Sequence, residues 1–162
     1  MVEFCTARAG IPTASSQASK ATQARSMSFL LDTCVVSEAT KERPDPRVQS
    51  WVNSTAADLL FFSAITFGEL KFGVERLPNG AKRDRLHVWL EELIHDTPVA
   101  RIISIDRDIA LIWAGLRIRD PNTKLEDAQI AATALAHGLT LVTRNVRDFR
   151  FAGLAVFNPW SK

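Results

Sequence analysis

Residues 126–149 read EDAQIAATALAHGLTLVTRNVRDF, a stretch that contains one helix followed at once by one strand. The alanine-rich run that begins near Leu125 favours a helix, and Gly138 suits the position just past its end. Residues 139–143 (LTLVT) then form a short apolar run that is typical of a buried strand. A helix that leads directly into a buried strand predicts an α/β domain.

The same alternation runs through the rest of the chain from Met27 onward. Four further apolar runs predict strands: residues 28–31, 59–62, 101–105 and 154–157. Amphipathic or capped stretches between them predict helices: residues 35–39, 45–52, 63–77, 86–93 and 106–116. Strands that are separated by helices form βαβ units, so we expect an α/β fold with a mostly parallel sheet of four to five strands.

Length and composition set the limits of the interpretation. The chain has 162 residues, of which 46% are hydrophobic and 23% charged, and this suits one globular domain. No apolar run approaches the length of a membrane span, and two cysteines do not make a disulfide framework, so we expect a cytoplasmic protein that contacts no membrane. The net charge of +2 comes from residues 1–26, so overall charge does not indicate nucleic-acid binding.

Residues 1–26 differ in composition from the remainder. Residues 6–26 are rich in Ser, Ala, Thr and Gln, and Ile11 is their only large aliphatic side chain. Such a segment buries too little apolar area to offset its ordering entropy, so we expect a flexible extension before a domain that spans residues 27–162. It is either an extension upstream of a start at Met27 or an organellar transit peptide, and it has no apolar run of the secretory type.

Four polar residues are expected near the carboxyl ends of the strands, where parallel sheets collect ligands. Asp32 follows the first strand and Asn145 follows the LTLVT strand, while Asp127 and Glu69 lie on helices next to strands. Carboxylates that are brought together raise one another's pKa, so such a cluster is tolerable mainly around a hard divalent cation. Oxygen ligands of this kind suit Mg²⁺ or Mn²⁺.

Each of these residues also has a purely structural explanation. Asp32 can cap the helix that follows it, and Asp127 is stabilised by the N-terminus of its own helix whatever else it does. Glu69 can be an ordinary solvated residue, although it shares a helix face with Ile65 and Gly73 next to the apolar side. Both interpretations of these residues stay open from the pattern alone.

Four segments together resemble one known family: LLDTCVVSE at 30–38, FFSAITFGELKFGV at 61–74, the stretch at 126–149, and FNPW at 157–160. They resemble the PIN-domain ribonuclease toxins of the VapC type, and within them the FitB-like subgroup. The resemblance covers residues 27–160. It implies a three-layer α/β/α fold and a Mg²⁺- or Mn²⁺-dependent endoribonuclease, the toxin of a type II toxin–antitoxin pair.

The resemblance also implies roles for individual residues. The metal-binding acids of the family correspond to Asp32, Glu69 and Asp127, and Glu69 either binds the ion or orients the attacking water. Thr33 and Thr143 match the small hydroxyl residues that support the site. The expected reaction is hydrolysis of an RNA phosphodiester by metal-activated water.

The chain departs from the family pattern at two positions. Cys34 stands where the family commonly has Asn, and Asn145 stands where a fourth acid often follows the last motif strand. We expect Asn145 to contribute at that fourth position and Asp148, three residues later, to support the site. Which of the two fills the position stays open.

Two sets of residues are candidates for contacts with RNA and with a protein partner. Arg144 and Arg147, with Arg150, are candidates for RNA phosphate contacts, or are ordinary loop residues. Phe67, Phe72 and Trp89 belong to helices rich in apolar side chains, which we expect to receive an antitoxin of the VapB or FitA type or a second subunit.

Two other functions compete with the nuclease. One is a catalytically weak module that binds nucleic acid or antitoxin. The other is a phosphatase with an aspartyl nucleophile, but that chemistry usually needs a second acid at the position of Cys34.

Overall fold

The sheet has five strands, all parallel, in the order β3-β2-β1-β4-β5. A computed structural model describes residues 28–161, so the extension predicted at residues 1–26 lies outside the described range. The strands are β1 (Phe29–Leu31), β2 (Leu60–Ser63), β3 (Ile102–Ile103), β4 (Thr140–Val142) and β5 (Val156–Phe157). The predicted parallel sheet of four to five strands is confirmed.

Six α-helices connect the strands. They are α1 (Thr33–Val36), α2 (Pro46–Ser54), α3 (Ala64–Glu75), α4 (Ala81–Asp96), α5 (Arg107–Arg119) and α6 (Leu125–His137). Short 3₁₀ turns occupy Ser37–Thr40, Ala57–Leu59, Val99–Arg101 and Val146–Phe149. None of the helices in the described range is long and apolar enough to cross a membrane.

Helix ends follow the signals in the sequence. Asp45, Ser63 and Asp106 each accept a hydrogen bond from a backbone N–H in the first turn of α2, α3 and α5, which satisfies donors that the helix itself leaves unpaired. Gly138 ends α6 with a φ of 61°, a left-handed conformation that a side chain would disfavour. These boundaries are therefore local properties of the chain.

Helices cover both faces of the sheet. Leu30 of β1 packs with α5 and α6, whereas its neighbour Leu31 packs with α1 to α4. Leu141 and Val142 of β4 divide between the same two cores, because successive side chains on a strand point to opposite faces. The result is the three-layer α/β/α arrangement that the resemblance implied.

Two elements differ in length from their prediction. The third strand, predicted at residues 101–105, is limited to Ile102–Ile103 because the chain enters it through a 3₁₀ turn and it pairs only with β2. The first helix begins at Thr33, two residues before the predicted start, because Asp32 already caps it. That second difference places Asp32 at a helix N-terminus and at the sheet edge at once.

Candidate active site

The central strands bring their carboxyl ends to one edge of the sheet. Leu31 of β1 is in register with Phe62 of β2 and with Val142 of β4, so the residues that follow these strands emerge side by side. The backbone N–H of Asp32 donates to the carbonyl of Val142 at 3.0 Å, which extends the β1–β4 pairing to the site. In this order β2 and β4 flank β1, and such a switch point is where open α/β sheets bind ligands.

Asp32 lies at the centre of this edge and is only 6% exposed. Its Oδ1 accepts the N–H of Thr33 at 2.7 Å, while its Oδ2 accepts the hydroxyl of Thr143 at 2.6 Å. One carboxylate oxygen therefore caps α1 and the other is bound by the residue after β4, while a part for Asp32 in ligand binding stays a prediction.

Glu69 reaches the same site from α3. It is half-buried and accepts a short hydrogen bond from the Thr33 hydroxyl. Burial raises the pKa of Glu69; the Thr33 hydrogen bond opposes this, and the charges of Asp32, Asp127 and Glu126 raise the pKa further. Glu69 is therefore not a freely solvated residue, and it shares an electrostatic environment with the other predicted acids.

Asp127 completes the set from the first turn of α6. Burial raises the pKa of this half-buried carboxyl, Lys124 opposes the shift, and the charges of Asp32, Asp148 and Glu126 add to it. Glu126, which the sequence indicates as the more solvated neighbour, is exposed but contributes charge to both Glu69 and Asp127. The charge of Asp32 therefore acts on both Glu69 and Asp127, and the charge of Asp127 acts on Glu69, which places the three predicted acids in one electrostatic environment.

The donor set fits a hard divalent cation. It consists of oxygen ligands. Burial raises the pKa of Glu69 and of Asp127, and the repulsion from neighbouring carboxylates, which a bound cation would relieve, adds to the shift. Among residues 28–161, no group of three or more His, Cys, Asp or Glu side chains is arranged so that it could hold a metal ion as it stands. An ion that keeps several of its own waters suits such an open site, as Mg²⁺ does.

Thr143 and Cys34 tie Asp32 to the end of β4. Thr143 is fully buried, and its hydroxyl oxygen also accepts the N–H of Asn145 at 3.0 Å. The Cys34 thiol donates to Asp32 Oδ2 at 3.1 Å, and its sulfur accepts the N–H of Arg144 at 3.3 Å. Burial and the Asp32 charge raise the pKa of Cys34 to about 11, so it remains a neutral donor.

Asn145 and Asp148 occupy different places. Asn145 joins the network through its backbone N–H, and the residue is exposed. Asp148 lines a cavity of about 220 Å³ together with Lys124, Asp127 and Arg147, and its charge acts on Asp127. The acid that faces Asp127 from this loop is therefore Asp148, although a direct part for either residue in ligand binding stays a prediction.

The predicted RNA-contacting arginines surround the same edge. The guanidinium of Arg144 lies over the ring of Trp160, 5.6 Å from its centroid, which joins the terminal FNPW segment to the site. Arg147 lines the cavity beside Asp127. Arg150 lies on the exposed chain after the last 3₁₀ turn.

Two residues near the site have roles that the sequence pattern did not indicate. Cys34 was noted only as a departure from the family, yet it is a hydrogen-bonding partner of Asp32. Glu38 was overlooked altogether, although it is 3% exposed and accepts the Lys41 ammonium at 2.6 Å and the N–H of Asp45 at 2.9 Å. The available signal for Glu38 was Lys41 three residues later, at the spacing of an ion pair on a helical turn.

A family profile described as "PIN domain" matches residues 29–154 of the chain. The chain belongs to the PIN-domain family. Similar proteins confirm the predicted resemblance. The chain is 41% identical to "Toxin FitB" of Neisseria gonorrhoeae over 82% of this chain and 98% of that protein. It is also 36% identical to "VapC ribonuclease Y4jK" of Sinorhizobium fredii, over 82% of this chain and 97% of the relative.

Solved structures of PIN-domain toxins have the same fold. The crystal structure of FitAcB from Neisseria gonorrhoeae superposes with a TM-score of 0.74 at 40% identity, and it covers 83% of this chain and 99% of that one. A structure of FitAB bound to an IR36 DNA fragment gives a TM-score of 0.75 at 37% identity, over 83% of this PIN domain chain and 96% of the other. The α/β/α architecture is therefore that of a PIN-domain toxin.

Proposed function

We propose that this PIN domain is the toxin of a type II toxin–antitoxin pair and acts as a Mg²⁺- or Mn²⁺-dependent endoribonuclease. The observation that carries the proposal is the shared electrostatic environment of Asp32, Glu69 and Asp127 at the carboxyl edge of the sheet, where burial and neighbouring negative charges raise the pKa of both Glu69 and Asp127. A cleft residue whose pKa is perturbed by burial and by specific charges is a candidate for a functional site. The names of the relatives, a toxin and a ribonuclease, support the same activity.

Asp32 and Asp127 are the residues that would hold the cation, with Glu69 binding it or orienting the attacking water. When bound, a divalent cation lowers the pKa of water and offsets the charge that grows on the phosphate oxygens. Thr143 and Cys34 fix the Asp32 carboxylate, and Thr33 fixes Glu69, so both carboxylates keep their orientation as substrate enters. A raised pKa and a position on the wall of an open cavity suit Glu69 to accept a proton from the attacking water.

We propose that the loop after β4 binds the phosphate groups of the RNA. Arg147 and Lys124 line the cavity beside Asp127, and Arg144 projects from the same loop. Arginine and lysine bind phosphate oxygens of any sequence, so these residues would position the RNA chain without selecting bases.

A protein antitoxin is the proposed partner, and a homodimer the proposed assembly, in the cytoplasm. One solved relative, 28% identical to this chain with a TM-score of 0.60, is a "Toxin-antitoxin complex from Klebsiella pneumoniae". In this chain, Trp89 and Leu93 of α4 help to line an apolar cavity of about 320 Å³. Of the three predicted apolar contacts, Phe67 and Trp89 are partly buried in the core, whereas Phe72 is exposed.

Two experiments test this function. Expression without an antitoxin is expected to arrest bacterial growth, and Asp32→Ala or Asp127→Ala is expected to relieve the arrest. Purified protein is expected to cleave RNA with Mn²⁺, and Asp127→Asn to remove the cleavage. The protein would be a binding module instead under two joint outcomes. The folded wild type binds RNA or antitoxin but never cleaves RNA, and the Asp32→Ala variant is as toxic as the wild type.

A further inference from the structure

A second cavity, lined by Glu69, is separate from the cavity that Arg147 and Asp127 line. It has a volume of about 610 Å³ and lies between α3 and α6. Six of its lining residues matter here: Thr33, Gly68, Glu69, Phe72, Glu126 and Gln129. Because Glu69 and its hydrogen-bonding partner Thr33 form part of the wall, anything bound in this cavity lies directly beside the candidate active site.

Phe72 gives the cavity an aromatic surface. It is 64% exposed, which is unusual for a phenylalanine on a helix whose other face is buried. The guanidinium of Arg76 lies 5.4 Å from the ring centroid and so accounts for contact on one part of the ring only. Gly68, one turn earlier on α3, leaves open space where a side chain would stand. A flat group entering the cavity therefore has room to reach the ring.

The polar groups of this cavity exclude phosphate and favour hydrogen-bond donors. Glu69 and Glu126 place two carboxylates on its wall, and these repel an anion. Gln129, three residues after Glu126 on α6, adds an amide that both donates and accepts. A ligand that suits this wall is planar, uncharged and carries amino groups, and these are the properties of adenine, guanine and cytosine.

We propose that this cavity binds the nucleobase of a nucleotide next to the cleaved phosphodiester, stacked on Phe72 and contacted by Gln129 and Glu126. The inference rests on the proposed nuclease function and adds a determinant of base preference to it. Amino-bearing bases are preferred over uracil, since an exocyclic amino group offers a carboxylate two N–H donors, whereas uracil offers only its single N3–H. The RNA would then have phosphates at the cavity lined by Arg147 and one base in the cavity lined by Phe72.

Binding is measured first without cleavage, in the Asp127→Asn background, using fluorescently labelled single-stranded oligoribonucleotides. Four oligomers share one scaffold and differ in the base at one position. Adding Phe72→Ala is expected to weaken binding about 10-fold, the effect of losing one stacked base. Phe72→Leu tests for apolar contact alone, and Leu111→Ala, which changes a 68% exposed side chain on α5, is the matched surface control and is expected to bind normally.

Cleavage by otherwise wild-type protein then separates the steps. Phe72→Ala is expected to raise KM about 10-fold with little change in kcat, because a stacked base contributes to binding before the reaction. Gln129→Ala is expected to reduce the preference for amino-bearing bases over uracil. Both side chains lie on the cavity wall rather than in the core, so the fold should survive either change, and circular dichroism checks this.

The outcomes separate this inference from the nuclease proposal. If wild-type protein never cleaves RNA, the nuclease proposal fails, and the binding assay still reports on the cavity. If wild-type protein cleaves but Phe72→Ala keeps the affinity, KM and base preference, the base-binding inference is wrong. It is also wrong if Phe72→Ala changes only the molar mass in light scattering, since the surface then binds a second copy of the chain.

Discussion

Two glutamates, Glu38 and Glu69, have opposite electrostatic environments. Glu38, on the 3₁₀ turn after α1, accepts hydrogen bonds from the Lys41 ammonium and the Asp45 N–H, and these lower its pKa although burial alone would raise it. Glu69, on α3, has burial and the negative charges of Asp32 and Asp127 around it, and its pKa is raised in spite of the Thr33 hydrogen bond. One carboxylate is satisfied by its neighbours and the other is not.

This difference separates structure from function in the molecule. Glu38 holds the turn between α1 and α2 in place, and its partners are all within the chain. The sheet edge instead gathers like charges, which Lys124 and the Thr33 hydroxyl offset only in part. A fold tolerates such a cluster at a site that binds something. Substitutions in the two regions should therefore have opposite effects on stability and on activity.

The largest expected effect is on catalysis. Asp127→Asn keeps the size of the side chain and removes its charge, so we expect RNA cleavage to fall at least about 100-fold, as is typical when a metal site loses a ligand or its support. Initial rates on a single RNA substrate with Mn²⁺ measure this. Glu38→Gln is the matched control and should keep its rate per folded molecule; an equal loss in both variants would contradict the distinction between the two regions.

The second-largest effect is expected on the free energy of unfolding when Glu38 is replaced. Glu38→Gln leaves the Lys41 ammonium and the Asp45 N–H with a weaker partner in a buried place, so we expect a loss of about 1–3 kcal/mol in the free energy of unfolding. Urea denaturation followed by circular dichroism measures the change. Asp127→Asn should lose no stability in the same assay, and a clear loss there would show that Asp127 has a structural role.

Most of the fold and the three candidate acids could be predicted from the sequence, but the burial and hydrogen-bonding partners of these acids could not. Gly138, Ser63 and Asp106 act through local backbone chemistry, which is why their helix ends were predictable. The short β3 was not, because its length depends on pairing with β2 alone. The roles of Glu38 and Cys34 depend on burial and on contacts beyond the neighbouring residues, with the Asp45 N–H in one case and the Arg144 N–H just after β4 in the other, and the sequence pattern does not show these.

The two glutamates should also respond oppositely to pH. For Glu69 the pKa is raised on folding, so its destabilising effect is absent in acid, builds as the pH rises above about 4.3, and is complete above the raised pKa. Glu69→Gln should therefore raise the melting temperature at neutral pH in EDTA, and the gain should vanish in acid. For Glu38 the pKa is lowered, so its stabilisation is present at neutral pH and is lost as the pH falls through the lowered value.

Melting curves of wild type, Glu69→Gln and Glu38→Gln at several pH values provide the measurement. Glu38→Gln should lower the melting temperature at neutral pH, and its difference from wild type should shrink toward acid. If both variants shift the melting temperature in the same direction at neutral pH, the contrast between a satisfied and an unsatisfied carboxylate is wrong.

A smaller effect is expected at Cys34. Cys34→Ala removes the thiol donor to Asp32 but leaves the stronger Thr143 hydroxyl, so kcat should fall only about 3-fold, in line with the weak donor strength of a thiol. Cys34→Ser restores a donor at the same position and should recover the rate. A volume effect alone would instead change stability and leave the serine and alanine variants with equal kcat.

The smallest expected effect concerns the loop after β4 and decides between Asn145 and Asp148. Asp148 acts on Asp127 through its charge, so Asp148→Asn should lower the repulsion around Asp127 in the metal-free protein and weaken Mn²⁺ binding by about two- to threefold, since only a screened charge at a distance is lost. Asn145→Asp adds a charge on an exposed residue and should change the affinity less. Calorimetric titration with Mn²⁺ measures both variants. If Asn145→Asp tightens binding clearly while Asp148→Asn has no effect, the fourth position of the site belongs to Asn145, and the charge of Asp148 serves the loop alone.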